Sequence, residues 1–354
     1  MKSRQMIVTI GVLASLILLG ACGPQAKQEP AQTTPATQDI KYDRQGLVDL
    51  AGKYLAALVK HEPSAVPFAE KVKFTENTAE MPVGKGLWIT ASGGPSEFQI
   101  YAADPVAQQV AFLVMMKELN KDILLGARLK LDGGKIVEAE HLAIRDLGTS
   151  PMGQGALNNL KTPRPGLLED VTPADKMTRD QLIKIGLSYY DALTGEDGKL
   201  APFANECERH ENGMVTAGGK PQPQAKPAAN TPAAKVDPEF EKMMKAVAEL
   251  GPVPNTCEAQ LSTGIFSYIT EIKPRRVLVA DEQKGLAVGF SMFYHDSSLK
   301  EYTYKGPKGE MKRPSYQGTF NLPAMHIYKI KNGKIYDIEA IGFTMPYGLK
   351  SGWE

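Results

Sequence analysis

The sequence predicts an α+β protein in which one small domain occurs twice. Three observations lead there: an internal repeat, an amphipathic helix at the head of each copy, and a series of strand-like segments behind each helix. Tyr54, Ala57 and Leu58 recur as Tyr189, Ala192 and Leu193, Pro67-Phe68-Ala69 as Pro202-Phe203-Ala204, and Glu76-Asn77 as Glu211-Asn212, all at one constant spacing. Further on, Ala103-Asp104 corresponds to Ala280-Asp281, and Gly134-Lys135-Ile136 with Glu140 to Gly333-Lys334-Ile335 with Glu339, at a wider spacing. A stretch rich in Pro, Ala, Lys and Gln, residues 216–237, accounts for most of the widening and reads as a disordered insertion.

The first element is not part of the fold. Lys2 and Arg4 precede an apolar run from Met6 to Leu19 that is about 14 residues long, the length of a signal h-region and short of a bilayer span. Leu19-Gly20-Ala21-Cys22 follows and resembles the lipobox of bacterial lipoproteins, in which a peptidase cuts before the cysteine and the thiol carries a diacylglycerol. The resemblance implies a signal peptide over 1–21, a lipid on Cys22 as the membrane partner, and an exported chain anchored to the cell envelope. The alternative is an ordinary secretory signal. Gly23 after the cysteine resembles an outer-membrane address, on the periplasmic side, if the cell is Gram-negative. Residues 22–41, Pro-, Gln- and Thr-rich, read as a flexible tether.

The remaining length favours two domains, at 42–150 and 175–350. A net charge of +1 gives no basic field for nucleic acid. With Cys22 committed to lipid, Cys207 and Cys257 are left in an oxidising compartment, and a disulfide is expected, two buried thiols being the alternative. Closing that loop contributes on the order of 4 kcal/mol in the chain-entropy model.

Leu47, Leu50, Ala51, Tyr54, Leu55 and Leu58 fall at helical steps, as do Leu182, Ile183, Ile185, Tyr189 and Leu193, with Thr178 as a cap for the second helix. Strands are expected at 266–278, 285–294 and 324–341, with turns at Asp132-Gly133-Gly134 and Asn332-Gly333. The order is a helix followed by a meander of antiparallel strands.

A leading helix ending in an aliphatic-Pro-Phe step, then a sheet closing on the hairpin Leu-Lys-Leu-Asp-Gly-Gly-Lys-Ile-Val-Glu-Ala-Glu, resembles the nuclear transport factor 2 superfamily, with its SnoaL-type cyclases and scytalone dehydratase. Phe74-Thr75-Glu76-Asn77 with Gly86-Leu87-Trp88, and Arg209-His210-Glu211-Asn212-Gly213 with Pro346-Tyr347-Gly348, resemble an uncharacterised bacterial and fungal domain within it. The resemblance implies two tandem cones, each a helix packed on a curved antiparallel sheet, paired as an intrachain pseudo-dimer. The superfamily includes enzymes, binding modules and dimerisation units, so fold leaves activity open.

Candidate chemistry concentrates in the second copy. His210 and His295 could move a proton with Glu211 as orienter, the three together forming the candidate catalytic set. Arg209, Asn212, Arg275, Arg276 and Glu339 are candidate ligand-binding residues, the arginines as anchors for an anion. Each has a plain structural alternative: a turn at Asn212-Gly213, a solvated strand face at 273–276, and Glu140 paired with Arg128. Trp88 reads as core or cone lining, and Trp353 as a terminal anchor. The sequence has no metal-ligand spacing, phosphate loop, dinucleotide fingerprint or nucleophile elbow, so neither metal nor cofactor is expected. Two functions fit: a cofactor-independent lyase, isomerase or hydrolase acting on a small organic molecule, or a noncatalytic envelope lipoprotein that binds a ligand or a protein.

Overall fold

Asp43 accepts a hydrogen bond from Gly46 N–H and starts helix α1 (Arg44–Lys60), which buries Leu47, Leu50, Ala51, Tyr54, Leu55 and Leu58 along one face. Thr178 and Gln181 form a full capping box on the matching helix of the second half. The computed structural model describes residues 40–145, 147, 155–219, 253–315 and 318–354. The expected signal peptide, nearly all of the expected tether and Cys22, the expected lipidation site, lie outside the described residues, as does the expected insertion beyond Gly219. Thr216 and Ala217, assigned above to that insertion, are instead the end of a strand, because they pair with the polar strand before them.

The first half carries β1 (Phe68–Glu76), β2 (Ala79–Glu80), α2 (Leu87–Thr90), β3 (Ala91–Gly93), β4 (Gln99–Asp104), β5 (Gln109–Glu118), β6 (Lys121–Asp132) and β7 (Lys135–Ile144). Two short helices, α3 (Ala156–Asn159) and α4 (Pro165–Leu168), lie in the connector. The second half has α5 (Arg179–Thr194), β8 (Phe203–Glu211), β9 (Met214–Ala217), α6 (Cys257–Leu261), β10 (Glu271–Asp281), β11 (Leu286–His295), β12 (Glu301–Gly306), β13 (Gly309–Pro314), β14 (Phe320–Lys331), β15 (Lys334–Gly342) and β16 (Met345–Pro346).

One sheet runs β2-β1-β7-β6-β5-β3 with β4 also on β5; the other runs β9-β8-β15-β14-β11-β10 with β16 on β14. The strand order is the same in both, so the repeat is one of topology as well as of sequence. The fold is α+β with curled, mainly antiparallel sheets, bulged at Lys130/Leu131 and at the equivalent Lys329/Ile330. The expected meander needs correction, because β1 pairs parallel with β7, and β8 with β15, the chain returning from the far edge to close each sheet. Residues 266–270 are not strand; they form turns before β10. The β12–β13 hairpin was also unforeseen. It stands between β11 and β14, where the first half needs only the turn Leu119-Asn120, and so shares with the insertion in widening the repeat spacing.

Each helix packs on one face of its own sheet, giving two separate cores. The opposite faces share a third core, in which Ile100, Leu113 and Leu124 of the first half meet Val288, Phe290 and Met325 of the second. Gly126 permits that approach, since a Cβ there would come within 2.5 Å of Met325 Sδ. Reciprocal ion pairs tie the halves together. Arg44, the first residue of α1, binds Asp281 with Nη2 at 2.8 Å, and Arg179, the first residue of α5, binds Asp104 with Nε at 2.8 Å. Both carboxylates are fully buried and each also accepts a backbone N–H from the other sheet, Asp281 from Ala103 and Asp104 from Ala280. Trp353 reaches back to the first half, donating from Nε1 to Thr75 Oγ1 at 2.9 Å beneath the Lys73 and Arg128 cations.

Candidate functional site

Each cone is built from the concave face of its sheet with the helix across it, yet the two differ inside. In the first half aromatic side chains pack between the helix and the sheet. Trp88 from α2 packs edge-on against Tyr54 and Phe68, with ring centroids at 5.2 and 5.9 Å. The Tyr54 hydroxyl lies 2.8 Å from His141 Nε2, and His141 Nδ1 is 3.6 Å from Glu76. Glu76 also accepts from Leu87 N–H and from Arg145 Nη2. Burial works to raise the Glu76 carboxyl, but His141, Leu87 and Arg145 together outweigh it and hold it down at about 2.

In the second half a cavity of about 130 Å³ opens between the helix, the sheet and the turns after α6. Its walls are mainly apolar, with Leu193, Phe266, Phe293 and Leu322 prominent, and Glu211, Asn212, Tyr189, Tyr268 and His326 add polar atoms. One difference from the first half is a cross-strand exchange. Ala127 on β6 faces His141 on β7, whereas the equivalent pair on β14 and β15 is His326 facing Ala340. The imidazole has moved to the neighbouring strand, and an alanine stands where His141 fills the first cone.

His326 is 4% exposed and its Nδ1 makes no hydrogen bond. It stacks on Tyr328 at 5.8 Å and lies beside Tyr189 and Tyr190. Burial, helped by the nearby charge of Arg209, pushes this imidazole down to about 3, so it is neutral at physiological pH. The sequence reading missed His326 because nothing in Ala324-Met325-His326-Ile327-Tyr328 marks it. Strand register alone, by exposing the exchange with His141, would have found it.

Of the sequence-derived candidates, Glu211 and Asn212 line the cavity. Arg209 sits immediately behind it, fully buried, with Nε 3.1 Å from Glu211, a contact to the Tyr189 hydroxyl and a short one to Gln260. Asn212 is committed elsewhere: its side chain donates to Gly342 O and accepts from Gly342 N–H, as Asn77 does with Ala143. The recurring Asn is thus a clasp between the β8 turn and the last strand, which favours the structural alternative for that residue.

The other candidates lie away from the cavity. Strand alternation turns His210 and Glu339 to the opposite face of the sheet, where His210 Nε2 is 2.5 Å from Glu208 and Arg164 Nη2 is 3.2 Å from Glu339. Burial and then the Arg164 charge push His210 down to about 4, while burial pushes Glu339 up to about 7 against the pull of Arg164. His295 is fully buried at the end of β11, its Nδ1 2.6 Å from Tyr268 O and its ring against Phe320. The suggested pairing of His295 with Glu211 or His210 is therefore replaced by backbone and ring contacts. Arg275 binds Asp191 and Thr194 at the end of α5, and Arg276 crosses to Glu140 of the first half at 2.5 Å, so neither reaches into the cone. Glu140 does take Arg128 as its partner, at 3.3 Å, with Arg276 as a second.

Cys207 on β8 is bonded to Cys257 at the head of α6. The bond fixes the start of the segment whose Phe266, Tyr268 and Ile269 wall the cavity. Among the described residues no group of three or more His, Cys, Asp and Glu could hold a metal ion, and no helix is long and apolar enough to cross a membrane.

No curated protein matches the chain. Among solved structures, a candidate polyketide cyclase from Silicibacter sp. TM1040 aligns at 12% identity over 48% of this chain and 92% of that one, with a TM-score of 0.25, too slight a likeness to carry an argument. The cavity-bearing half itself, residues 175–342, matches the family model of a domain of unknown function, DUF8021.

Proposed function

We propose that this chain is an exported lipoprotein, anchored to the cell envelope through Cys22, whose two nuclear transport factor 2-like cones (42–150 and 175–350) form an intrachain pseudo-dimer and whose second cone binds one small organic molecule. The observation that carries the binding reading is the contrast between the cones. In the first, Trp88 and the Tyr54–His141–Glu76 contacts pack between helix and sheet, while the second keeps a cavity of about 130 Å³ lined in part by His326, whose Nδ1 has no hydrogen-bond partner. An engineered apolar cavity of roughly 150 Å³ takes up benzene, so the space suits a molecule about the size of one aromatic ring. The reciprocal Arg44–Asp281 and Arg179–Asp104 pairs support the pseudo-dimer, and Leu19-Gly20-Ala21-Cys22 supports the lipid anchor.

Binding is favoured over proton transfer on magnitude. An imidazole held at about 3 is a poor base at neutral pH, where an effective one titrates near the working pH. The carboxylate closest to it in the cavity wall, Glu211, is tied to Arg209.

The test is a thermal-shift titration of the full-length chain with benzyl alcohol, beside an Ala340→Phe variant that fills the cavity. Saturable stabilisation of about 2.7 kcal/mol at a hundredfold excess over Kd, lost in the variant, is expected. Equal responses from both proteins, or none from either, contradict the reading.

A further inference from the structure

Resting on that reading, we infer that the molecule bound in the second cone is a small organic cation, an aryl- or alkylammonium. Five ring-bearing residues line the cavity: Tyr189, Phe266, Tyr268, Phe293 and His326. The faces of such rings carry negative potential and attract cations, most strongly when the cation is desolvated. Glu211 is the one charged residue among those that line the space. Arg209 Nε lies 3.1 Å from its Oε1, and the Glu211 side chain is 41% exposed, which leaves the carboxylate accessible to a ligand.

Arg209, fully buried, is held by Thr216, Tyr189 and Gln260, with its guanidinium 5.1 Å over the outer ring Phe266, and it does not line the cavity. An anion would therefore meet a carboxylate and ring faces without reaching the guanidinium. His326 lines the cavity while its Nδ1 is closed off without a partner, so it presents its ring to the space. Its neutral state removes the repulsion an imidazolium would exert.

Benzylammonium, benzyl alcohol and benzoate share a ring and a reach and differ in charge, so calorimetric titration of all three into the full-length chain at pH 7 isolates the sign. We expect benzylammonium to bind about tenfold more tightly than benzyl alcohol, benzoate to bind more weakly than either, and Glu211→Gln to erase the margin between cation and alcohol. Retained binding of benzyl alcohol by that variant reports that its cavity is intact. If alcohol or benzoate matches the cation, the charge inference fails and the cavity reading stands; if none of the three binds, both fail.

Discussion

Replacing Asp281 with alanine tests the joint between the halves. The carboxylate is fully buried and receives Arg44 Nε at 3.0 Å, Arg44 Nη2 at 2.8 Å, Ala103 N–H at 3.1 Å and Lys284 N–H at 3.1 Å. Its removal leaves the Ala103 N–H, in a fully buried residue, without an acceptor, at about 1–3 kcal/mol. It also strands the Arg44 guanidinium. Because that side chain keeps 19% exposure it can turn partly to water, so the loss stays below the 3–5 kcal/mol typical of a broken, fully buried pair. The sum is a destabilisation of about 3–4 kcal/mol. Asp104 receives the same three kinds of donor, Arg179 Nε at 2.8 Å, Ala280 N–H at 3.2 Å and Ala107 N–H at 2.9 Å. Asp104→Ala is therefore expected to cost a similar amount. Urea unfolding followed by circular dichroism gives both values. A loss under about 1 kcal/mol for either variant, or a difference between them of more than about 2 kcal/mol, would refute the equivalence of the two reciprocal pairs.

Glu339 gives a pH test. Its folded-state value of about 7 lies above its ordinary 4.5, so the folded chain holds this proton more tightly than the unfolded one. The stability it contributes is complete below pH 4.5 and is lost as the pH rises through about 7, a swing of about 3 kcal/mol. Glu339→Gln mimics the protonated form, and its stability relative to the parent should rise by about 2–3 kcal/mol between pH 4.5 and 8. A flat difference across that range would show that the burial of Glu339 has been misjudged. Removing the Cys207–Cys257 bond by a double serine substitution should cost about 4 kcal/mol for a loop spanning 50 positions and weaken benzyl alcohol binding, since the bond anchors the aromatic wall. Unchanged affinity in the folded double variant would separate the bond from the site. Trp353→Ala should lower the urea midpoint by about 1–3 kcal/mol equivalent, through the lost Thr75 bond and ring contacts, whereas a neutral result would make the C-terminal anchor dispensable.

Much of the fold was legible where the signal is local. Leu47 to Leu58 and Leu182 to Leu193 mark both helices, Thr178 marks a cap that exists, and Asp132-Gly133 and Asn332-Gly333 mark the turns of the final hairpins. What escaped depends on non-local pairing. The polar run from Glu206 to Glu211 carries no strand alternation of apolar residues, but it belongs to strand β8, stabilised by its parallel seat on β15. His210 looks like a site residue because it adjoins Glu211 in sequence, and Glu339 because it is a carboxylate amid apolar neighbours, whereas alternation sends Arg209 and Glu211 to one face and His210 to the other, with Glu339 beside it. Arg275 and Arg276 suggested an anion anchor, and the structure gives each a carboxylate outside the cone instead. His326 was invisible for the complementary reason. It is one apolar-flanked residue on a buried strand, and its meaning emerges only once Ala340 is seen opposite it.

The most direct test of the central claim is a crystal of the full-length chain pressurised with xenon. The account predicts a xenon peak in the second cone, within van der Waals reach of Phe266, His326 and Ala340, and none between Tyr54, Trp88 and His141 in the first. An empty second cone, or equal occupancy of both, would contradict it.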